Sequence, residues 1–302
     1  MASRAADAAT SAAFSLGWSA VRRLPERSAY RLFERTADRV WARQGAGVVQ
    51  YERNQSRVHP DATRADLREL SRLGMRSYLR YWCDAFRLPS WSQQRIRDTF
   101  VLQGGEVLDA AMAAGTGAIM VVDHGGNWDH AGAWGALRYG GLTTVAEHLR
   151  PEALFQQFLA YRASLGMEIL PLGDPDTFRT LVSRVRAGGL VPLVGDRDIS
   201  RRGIVVDFFG EPASFPAGPA LLAVLTGAPL HPVPLTYGDG IAIGTVLPRI
   251  VPPTTGTREE RVTATTQAIA DAFAGAIRER SWDWHVMQPL WQADLDPARR
   301  AS

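Results

Sequence analysis

An apolar, β-branched run followed by a helix start constrains the fold of this chain more than any other feature. Residues 118–122 form such a run, and the Asn-Trp-Asp segment at 127–129 before an alanine-rich stretch is typical of a helix N-terminus. Similar runs at 143–146, 168–172 and 189–194 alternate with helix-like segments. Strands separated by helices need crossover connections, so the sequence predicts an α/β fold with a mostly parallel central sheet flanked by helices.

The first third of the chain has helical spacing of its apolar residues. The pattern covers 8–43, with a break at Pro25, and returns over 61–86. We therefore predict an N-terminal helical region at 1–95 that belongs to the same globular unit as an α/β core at 96–302.

Arginine and aromatic residues share the 8–43 segment, which includes Phe14 and Trp18. Two interpretations fit this composition: the apolar stripe packs on the core, or the helix lies on an anionic membrane surface. The chain has no run of about 18 apolar residues, the length needed to cross a bilayer. A soluble or peripheral membrane protein is therefore expected.

The positive charge of the chain is carried by arginine alone. The sequence has 34 arginines, no lysine and a net charge of +3. Guanidinium groups bind phosphate through paired hydrogen bonds, which suits an anionic head group or a phosphorylated cofactor. The excess is too small to indicate nucleic-acid binding, and no such motif accompanies it. Cys83 is the single cysteine, so a disulfide framework is excluded and a reducing compartment is expected.

His124 lies on the predicted turn between the 118–122 strand and the next helix. The carboxyl ends of strands in an α/β sheet border the crevice where ligands bind. Asp129, in the first helical turn, is predicted to fold back and fix the tautomer of the histidine, which then acts as a general base. Gly125 and Gly126 leave the backbone bare, so a substrate carbonyl is expected to approach their amide groups. The alternative is a structural histidine beside a helix cap.

A second polar cluster, Asp196-Arg197-Asp198, follows the 189–194 strand. Two parallel strands that end at the same edge would bring this cluster and His124 into one composite site. The alternative is a loop whose charges neutralise one another.

Several mechanisms are excluded by motifs that the sequence lacks. It has no Gly-x-Ser-x-Gly elbow, no lysine for a P-loop, and no His-Glu-x-x-His or Cys-x-x-Cys pattern, so no metal site is expected. A histidine base without an enzyme nucleophile fits direct attack of an acceptor hydroxyl on an activated acyl group, with no acyl-enzyme.

An ordered set of motifs resembles the bacterial lipid A biosynthesis acyltransferase family, and within it the actinobacterial phosphatidylinositol mannoside branch. The set comprises His124-x4-Asp129, Arg150-Pro151, Arg162-x3-Gly166, Asp196-Arg197-Asp198, Gly203, Phe208-Phe209-Gly210, Pro216-Ala217-Gly218 and Trp282-x-Trp284-His285. The resemblance covers nearly the whole chain and implies a glycerolipid acyltransferase-like core.

The resemblance also implies roles for individual residues. His124 would be the base and Asp129 its orienting partner, with Asp196 or Asp198 as a third polar member near the ring. The remaining expected substrate contacts come from three arginines and from the turn: Arg150, Arg162, Arg197, Asn127, Gly125 and Gly126.

The family implies acyl-CoA as the acyl donor substrate, with no bound cofactor. In the mannoside branch the donor is typically palmitoyl-CoA and the acceptor a mannose of phosphatidylinositol mannoside, at the cytoplasmic face of the plasma membrane. Two alternatives stay open: the same chemistry on another glycolipid such as a lipid A-type glucosamine, and a non-catalytic lipid-binding protein of the same fold.

Overall fold

A computed structural model describes residues 20–147, 152–199 and 202–295 of the chain. The predicted helical segment 8–19, with Phe14 and Trp18, lies outside the described residues.

Three long helices form the N-terminal region. They are α1 (Glu26–Ala42), α2 (Ala46–Val58) and α3 (Arg64–Arg87). The break predicted at Pro25 is the N-terminal boundary of α1, and Thr63 and Asp66 form a capping box that starts α3. Helix α1 packs along α3, and its Phe33 and Trp41 face that contact. The apolar stripe of α1 therefore packs on the protein, the first of the two interpretations above.

The remaining elements alternate as the sequence predicts. In chain order they are α4 (Gln93–Asp98), β1 (Phe100–Gln103), α5 (Glu106–Ala113), β2 (Ala118–Val122), α6 (Trp128–Tyr139), β3 (Leu142–Ala146), α7 (Glu152–Ser164), β4 (Met167–Pro171), α8 (Thr177–Arg186), β5 (Leu190–Val194), β6 (Ile204–Phe208), β7 (Glu211–Phe215), α9 (Gly218–Thr226), β8 (Leu230–Val233), β9 (Leu235–Tyr237), β10 (Ala242–Thr245) and α10 (Arg258–Glu279). Short 3₁₀ turns occupy Leu88–Ser90, Ser281–Asp283 and Gln292–Asp294.

Most strand pairs are parallel, which confirms the predicted fold class. Strand β2 lies between β5 and β8 and is parallel to both. Strands β3 and β4 form a second parallel pair, and β3 contacts β5. Strand β1 is parallel to β10, whereas β9–β10 and the β6–β7 hairpin are antiparallel.

The apolar segment 230–235 is divided between two strands in the structure, β8 and β9. Pro234 separates β8 from β9, because proline has no N–H to continue the ladder. Strand β10 pairs with β9, and beyond it the Leu247 N–H donates to the Pro232 carbonyl of β8.

Every residue of β2 is buried, because both faces of the sheet are covered. Ile119 and Val121 join the core formed with α9, α10 and the β6–β7 hairpin. Met120 and Val122 join the core on the opposite face, with α5 and α6. This pattern is typical of a parallel strand between two helical layers.

Cys83 is fully buried where α3 meets α1, and burial raises the pKa of its thiol to about 12. None of the helices in the described part of the chain combines the length and apolarity that a membrane span requires.

Candidate active site

The register of β2 on β5 brings His124 and Asp196 together. Val122 pairs with Val194, so His124 and Asp196 each lie two residues beyond a registered pair at the carboxyl ends of neighbouring parallel strands. The Nδ1 atom of His124 lies 2.6 Å from Oδ1 of Asp196, and the His124 backbone N–H donates to Oδ2 at 2.8 Å. The ring therefore donates its Nδ1–H to the carboxylate, which leaves Nε2 as the basic nitrogen.

The Asp196 carboxylate is fully buried, whereas the His124 side chain is 20% exposed. Trp284 donates its indole N–H to Oδ2 of Asp196 at 2.7 Å. Burial alone raises the pKa of Asp196, but the charge and hydrogen bonds of His124 and the hydrogen bond from Trp284 together bring it below its ordinary value. The pair therefore combines a fixed internal carboxylate with an imidazole that solvent and ligands reach.

Asp129 does not occupy the position that the sequence predicts for it. Its carboxylate accepts from the Nε–H of Arg162 at 2.8 Å and from the Tyr81 hydroxyl at 2.9 Å. It lies in the first turn of α6 and bonds to α7 and α3, whereas Asp196 occupies the position beside Nδ1 of His124. In this structure the tautomer of His124 is set by Asp196, and Asp129 orients Arg162.

The rest of the second cluster has other contacts. Asp198 accepts from the Gly203 N–H at 2.9 Å and from the Ser214 hydroxyl at 3.5 Å, so it stabilises the connection to the β6–β7 hairpin. Arg197 donates to the side chain of Gln288 at 3.1 Å. Of the two candidates for a carboxylate near the ring, the hydrogen bonds therefore favour Asp196. Arg150 lies outside the described residues.

The two glycines after His124 lie close against β9. A Cβ atom on Gly125 would lie 2.4 Å from the Leu235 carbonyl oxygen, and one on Gly126, which has φ +46°, would lie 2.8 Å from the Thr236 nitrogen. The Gly126 N–H donates to the Asp283 carbonyl. Glycine is needed here because the turn packs against β9, and the Gly126 amide is used within the protein.

Asn127 is the N-cap of α6. Its side-chain oxygen accepts from the His130 N–H at 2.9 Å, as the helix-start signal predicts. The next residue, Trp128, packs on Tyr81 with ring centroids 4.0 Å apart, and its ring centroid lies 5.7 Å from that of His124. Trp128 therefore connects the His124 side of the site to the Asp129 side.

Sequence patterns assign no role in the site to two buried polar residues next to this pair, Asp123 and His285. Asp123 is buried next to Asp196, and burial followed by the charge of Asp196 raises its pKa well above the ordinary value. His285 is buried, with Nε2 2.9 Å from the Ser77 hydroxyl, which itself donates to Asp283. The hydrophobic strand context of Asp123 and the aromatic context of His285 are typical of packing, so neither position carried a usable signal.

A cavity of about 570 Å³ opens between α1, α3 and the β9–β10 turn. Arg80, Asp84, Tyr237 and Trp282 are among its lining residues, together with Ser77 and Asp283. His124 and Asp196 are not, so the cavity lies behind the His285 contact and not at the imidazole.

The fold and the site define an α/β protein with a histidine at the carboxyl edge of a parallel sheet, hydrogen-bonded to a buried carboxylate. Residues 3–293 match the bacterial lipid A biosynthesis acyltransferase family. The chain belongs to that family.

Curated relatives are similar over almost the full chain. Phosphatidylinositol mannoside acyltransferases of two Mycobacterium tuberculosis strains, CDC 1551 / Oshkosh and H37Rv, are each 44% identical over 297 residues, which is 97% of this chain and 92% of theirs. The protein of the same name from Mycolicibacterium smegmatis is 43% identical and covers 97% of this chain and 94% of its own. The family that the sequence motifs resemble is thus confirmed.

Proposed function

We propose that this protein transfers a long-chain acyl group, palmitoyl in the first instance, from acyl-CoA to a mannose hydroxyl of phosphatidylinositol mannoside. The names of the relatives support the acceptor. The observation that carries the chemistry is the 2.6 Å contact between His124 and the buried carboxylate of Asp196.

In the proposed reaction His124 is the general base. Its Nε2 takes the proton of the acceptor hydroxyl while the hydroxyl oxygen attacks the thioester carbonyl carbon. The tetrahedral intermediate collapses with cleavage of the C–S bond, and the imidazolium returns its proton to the departing thiolate sulfur. Asp196 stays ionised throughout and stabilises the imidazolium through Nδ1.

Arg162 is the proposed cationic group of the site. Its Nε–H donates to Asp129, which also accepts from Tyr81, and the Tyr81 ring packs on Trp128, which lies next to the His124 ring. A guanidinium in that position suits a donor or acceptor phosphate, or the oxyanion that forms during attack. The Gly126 N–H already donates to the Asp283 carbonyl, so that amide is not available to stabilise the oxyanion in place of Arg162.

The catalytic part is tested by incubating the purified protein with radiolabelled palmitoyl-CoA and phosphatidylinositol mannoside. We expect His124→Ala to reduce acyl transfer by at least about 10²-fold, the usual contribution of a general base. His59→Gln is the matched control, because His59 hydrogen-bonds Ser281 away from the site. Near-normal turnover of His124→Ala would remove the mechanism.

The acceptor is tested in the same assay with a lipid A-type glucosamine acceptor in place of the mannoside. Preference for the glucosamine would favour the same chemistry on another glycolipid. Palmitoyl-CoA hydrolysis without acceptor would exclude a non-catalytic lipid-binding protein. A series of acyl-CoA chain lengths then tests the palmitoyl preference.

We also propose that α1 attaches the protein to an anionic membrane surface. Its exposed arginines recur every fourth residue along the helix: Arg27, Arg31, Arg35, Arg39 and Arg43. Among the described residues no acidic side chain forms an ion pair with this row. Two acids of α1, Glu34 and Asp38, bond instead to Arg76 of the neighbouring helix α3. An unpaired row of guanidinium groups is complementary to anionic lipid head groups.

Vesicle co-sedimentation tests this attachment. We expect Arg31→Glu/Arg35→Glu to weaken binding to phosphatidylinositol-containing vesicles at least about tenfold, since each basic residue near an anionic surface contributes about 1 kcal/mol. The control Arg179→Glu/Arg258→Glu makes the same change in net charge at exposed positions on α8 and α10. Equal loss in both double variants would mean that net charge, and not the α1 row, governs binding.

A further inference from the structure

We infer that Trp284 is a positioning residue for the reaction, acting on His124 through Asp196. The inference rests on the proposed function, because it concerns the same histidine. By this inference a tryptophan of the core helps to orient the His124 ring and to keep Asp196 ionised.

The hydrogen bonds on Asp196 divide between its two oxygens. Oδ2 accepts from the His124 backbone N–H at 2.8 Å and from the Trp284 indole at 2.7 Å, while Oδ1 faces the imidazole at 2.6 Å. Two donors on one oxygen fix the plane of the carboxylate. The other oxygen is thereby directed at Nδ1 of His124, which fixes the orientation of the ring.

The indole also offsets an unfavourable charge environment. Asp196 is fully buried beside a second buried acid, Asp123, and burial disfavours the ionised form of Asp196. The groups that favour the ionised form are His124 and Trp284. The indole N–H of Trp284 does not exchange a proton during the reaction, so its contribution to Asp196 persists in every step.

The position of the indole is fixed by backbone pairing and by packing in the core. Trp284 follows the 3₁₀ turn Ser281–Asp283, pairs with Gly125 through an antiparallel β-bridge, and is fully buried. Its ring packs edge-on against Trp291, with centroids 6.2 Å apart. The donor is thus held by the hydrophobic core and does not depend on substrate to be placed.

The first test is Trp284→Phe, which keeps an aromatic ring in the core and removes the N–H. We expect kcat to fall about 10- to 100-fold with little change in KM, the effect of losing one hydrogen bond to a charged group that acts after substrate has bound. The acid limb of the kcat/KM profile should move to higher pH. Loss of a donor makes Asp196 easier to protonate, and a protonated Asp196 no longer holds the Nδ1–H of His124 in the same way.

The titratable groups that face this pair are Asp123, beside Asp196, and His285, whose charged form is disfavoured by burial and by His124. Neither is altered by Trp284→Phe. A shift of the acid limb in that variant therefore reports on the pair.

Trp291→Phe is the matched control. Trp291 is equally buried, touches Trp284, and donates its indole N–H to the Phe208 carbonyl at 2.8 Å, with no link to Asp196. Its substitution removes the same kind of hydrogen bond from the same core. We expect a similar loss of thermal stability, an unchanged acid limb and nearly unchanged kcat. Equal kcat and equal pH profiles in the two Phe variants would overturn the inference.

A double-mutant cycle identifies the route of the effect. In an Asp196→Asn background, Trp284→Phe should cause no further loss of the residual activity, because the carboxylate on which it acts has been removed. A multiplicative loss of the full size would show that Trp284 acts elsewhere and would also overturn the inference. His124→Ala distinguishes failure of the proposed function from failure of the Trp284 inference. If His124→Ala retains activity, the proposed function fails. If it is inactive and Trp284→Phe has the same kcat and pH profile as Trp291→Phe, only the Trp284 inference fails.

Discussion

Asp196→Asn and Asp129→Asn should have opposite consequences, although sequence spacing assigns the orienting role to Asp129. The asparagine oxygen at 196 keeps the two donors on the Oδ2 side, the His124 backbone N–H and the Trp284 indole. The amide nitrogen then faces Nδ1 of His124 and makes it an acceptor. The ring is forced into the tautomer with hydrogen on Nε2, which cannot take a proton from the acceptor.

The expected loss of kcat in Asp196→Asn is about 10²- to 10⁴-fold, or roughly 3–5 kcal/mol in the activation barrier. The same substitution in a Ser–His–Asp triad has an effect at the upper end of this range for the same tautomeric reason. The unfolding free energy should change little, since a buried charge near Asp123 is removed while the shape of the side chain is kept.

Asp129→Asn removes the carboxylate that faces Arg162, whose side chain is 18% exposed. Removing one partner of this mostly buried ion pair should lower the unfolding free energy by about 2–4 kcal/mol, somewhat less than the loss for a fully buried pair. We expect turnover per folded molecule to fall less than tenfold. Urea titration and initial rates on both variants test the contrast. The reasoning would be refuted if Asp129→Asn lost as much kcat as Asp196→Asn while its stability equalled that of the wild type.

Two further predictions concern the turn and the buried histidines. Gly126→Ala should lower the unfolding free energy by about 2 kcal/mol more than Gly140→Ala. Both glycines have positive φ, but only a Cβ on Gly126 would lie against Thr236. Urea titration of both variants checks this, and equal losses would contradict it. Burial lowers the pKa of His130 to about 4 and of His285 to about 3, with a smaller contribution from nearby positive charge. In the unfolded chain both histidines protonate near pH 6.5, so the unfolding free energy should be highest above that pH and fall progressively toward pH 4. Each histidine contributes a slope of up to about 1.4 kcal/mol per pH unit. An unchanged slope in His130→Gln would refute this.

The strands and most helices could be predicted from periodicity, but the pairing of the strands could not. The sequence places His124 and Asp196 each after an apolar strand. Only the register, with Val122 opposite Val194, makes these two residues neighbours and excludes Asp198, which lies two residues further on. Register depends on contacts between segments about 70 residues apart, and local spacing contains no information about them.

Asp129 shows the converse limit. Its distance from His124 in sequence is short, and the first turn of a helix favours a carboxylate. Its partners, Tyr81 and Arg162, come from α3 and α7, 48 and 33 residues away. A helix turns successive side chains to different sides, so proximity in sequence at a strand–helix turn does not ensure contact.

The single thiol between α1 and α3 makes the native chain convenient for site-specific labelling. Because Cys83 is enclosed and its pKa is about 12, maleimides and disulfide reagents should leave it unmodified while the helices stay packed. A cysteine introduced on the surface would then take a fluorophore or spin label without replacement of the natural one. The rate at which Cys83 itself is labelled would report how often the two helices separate.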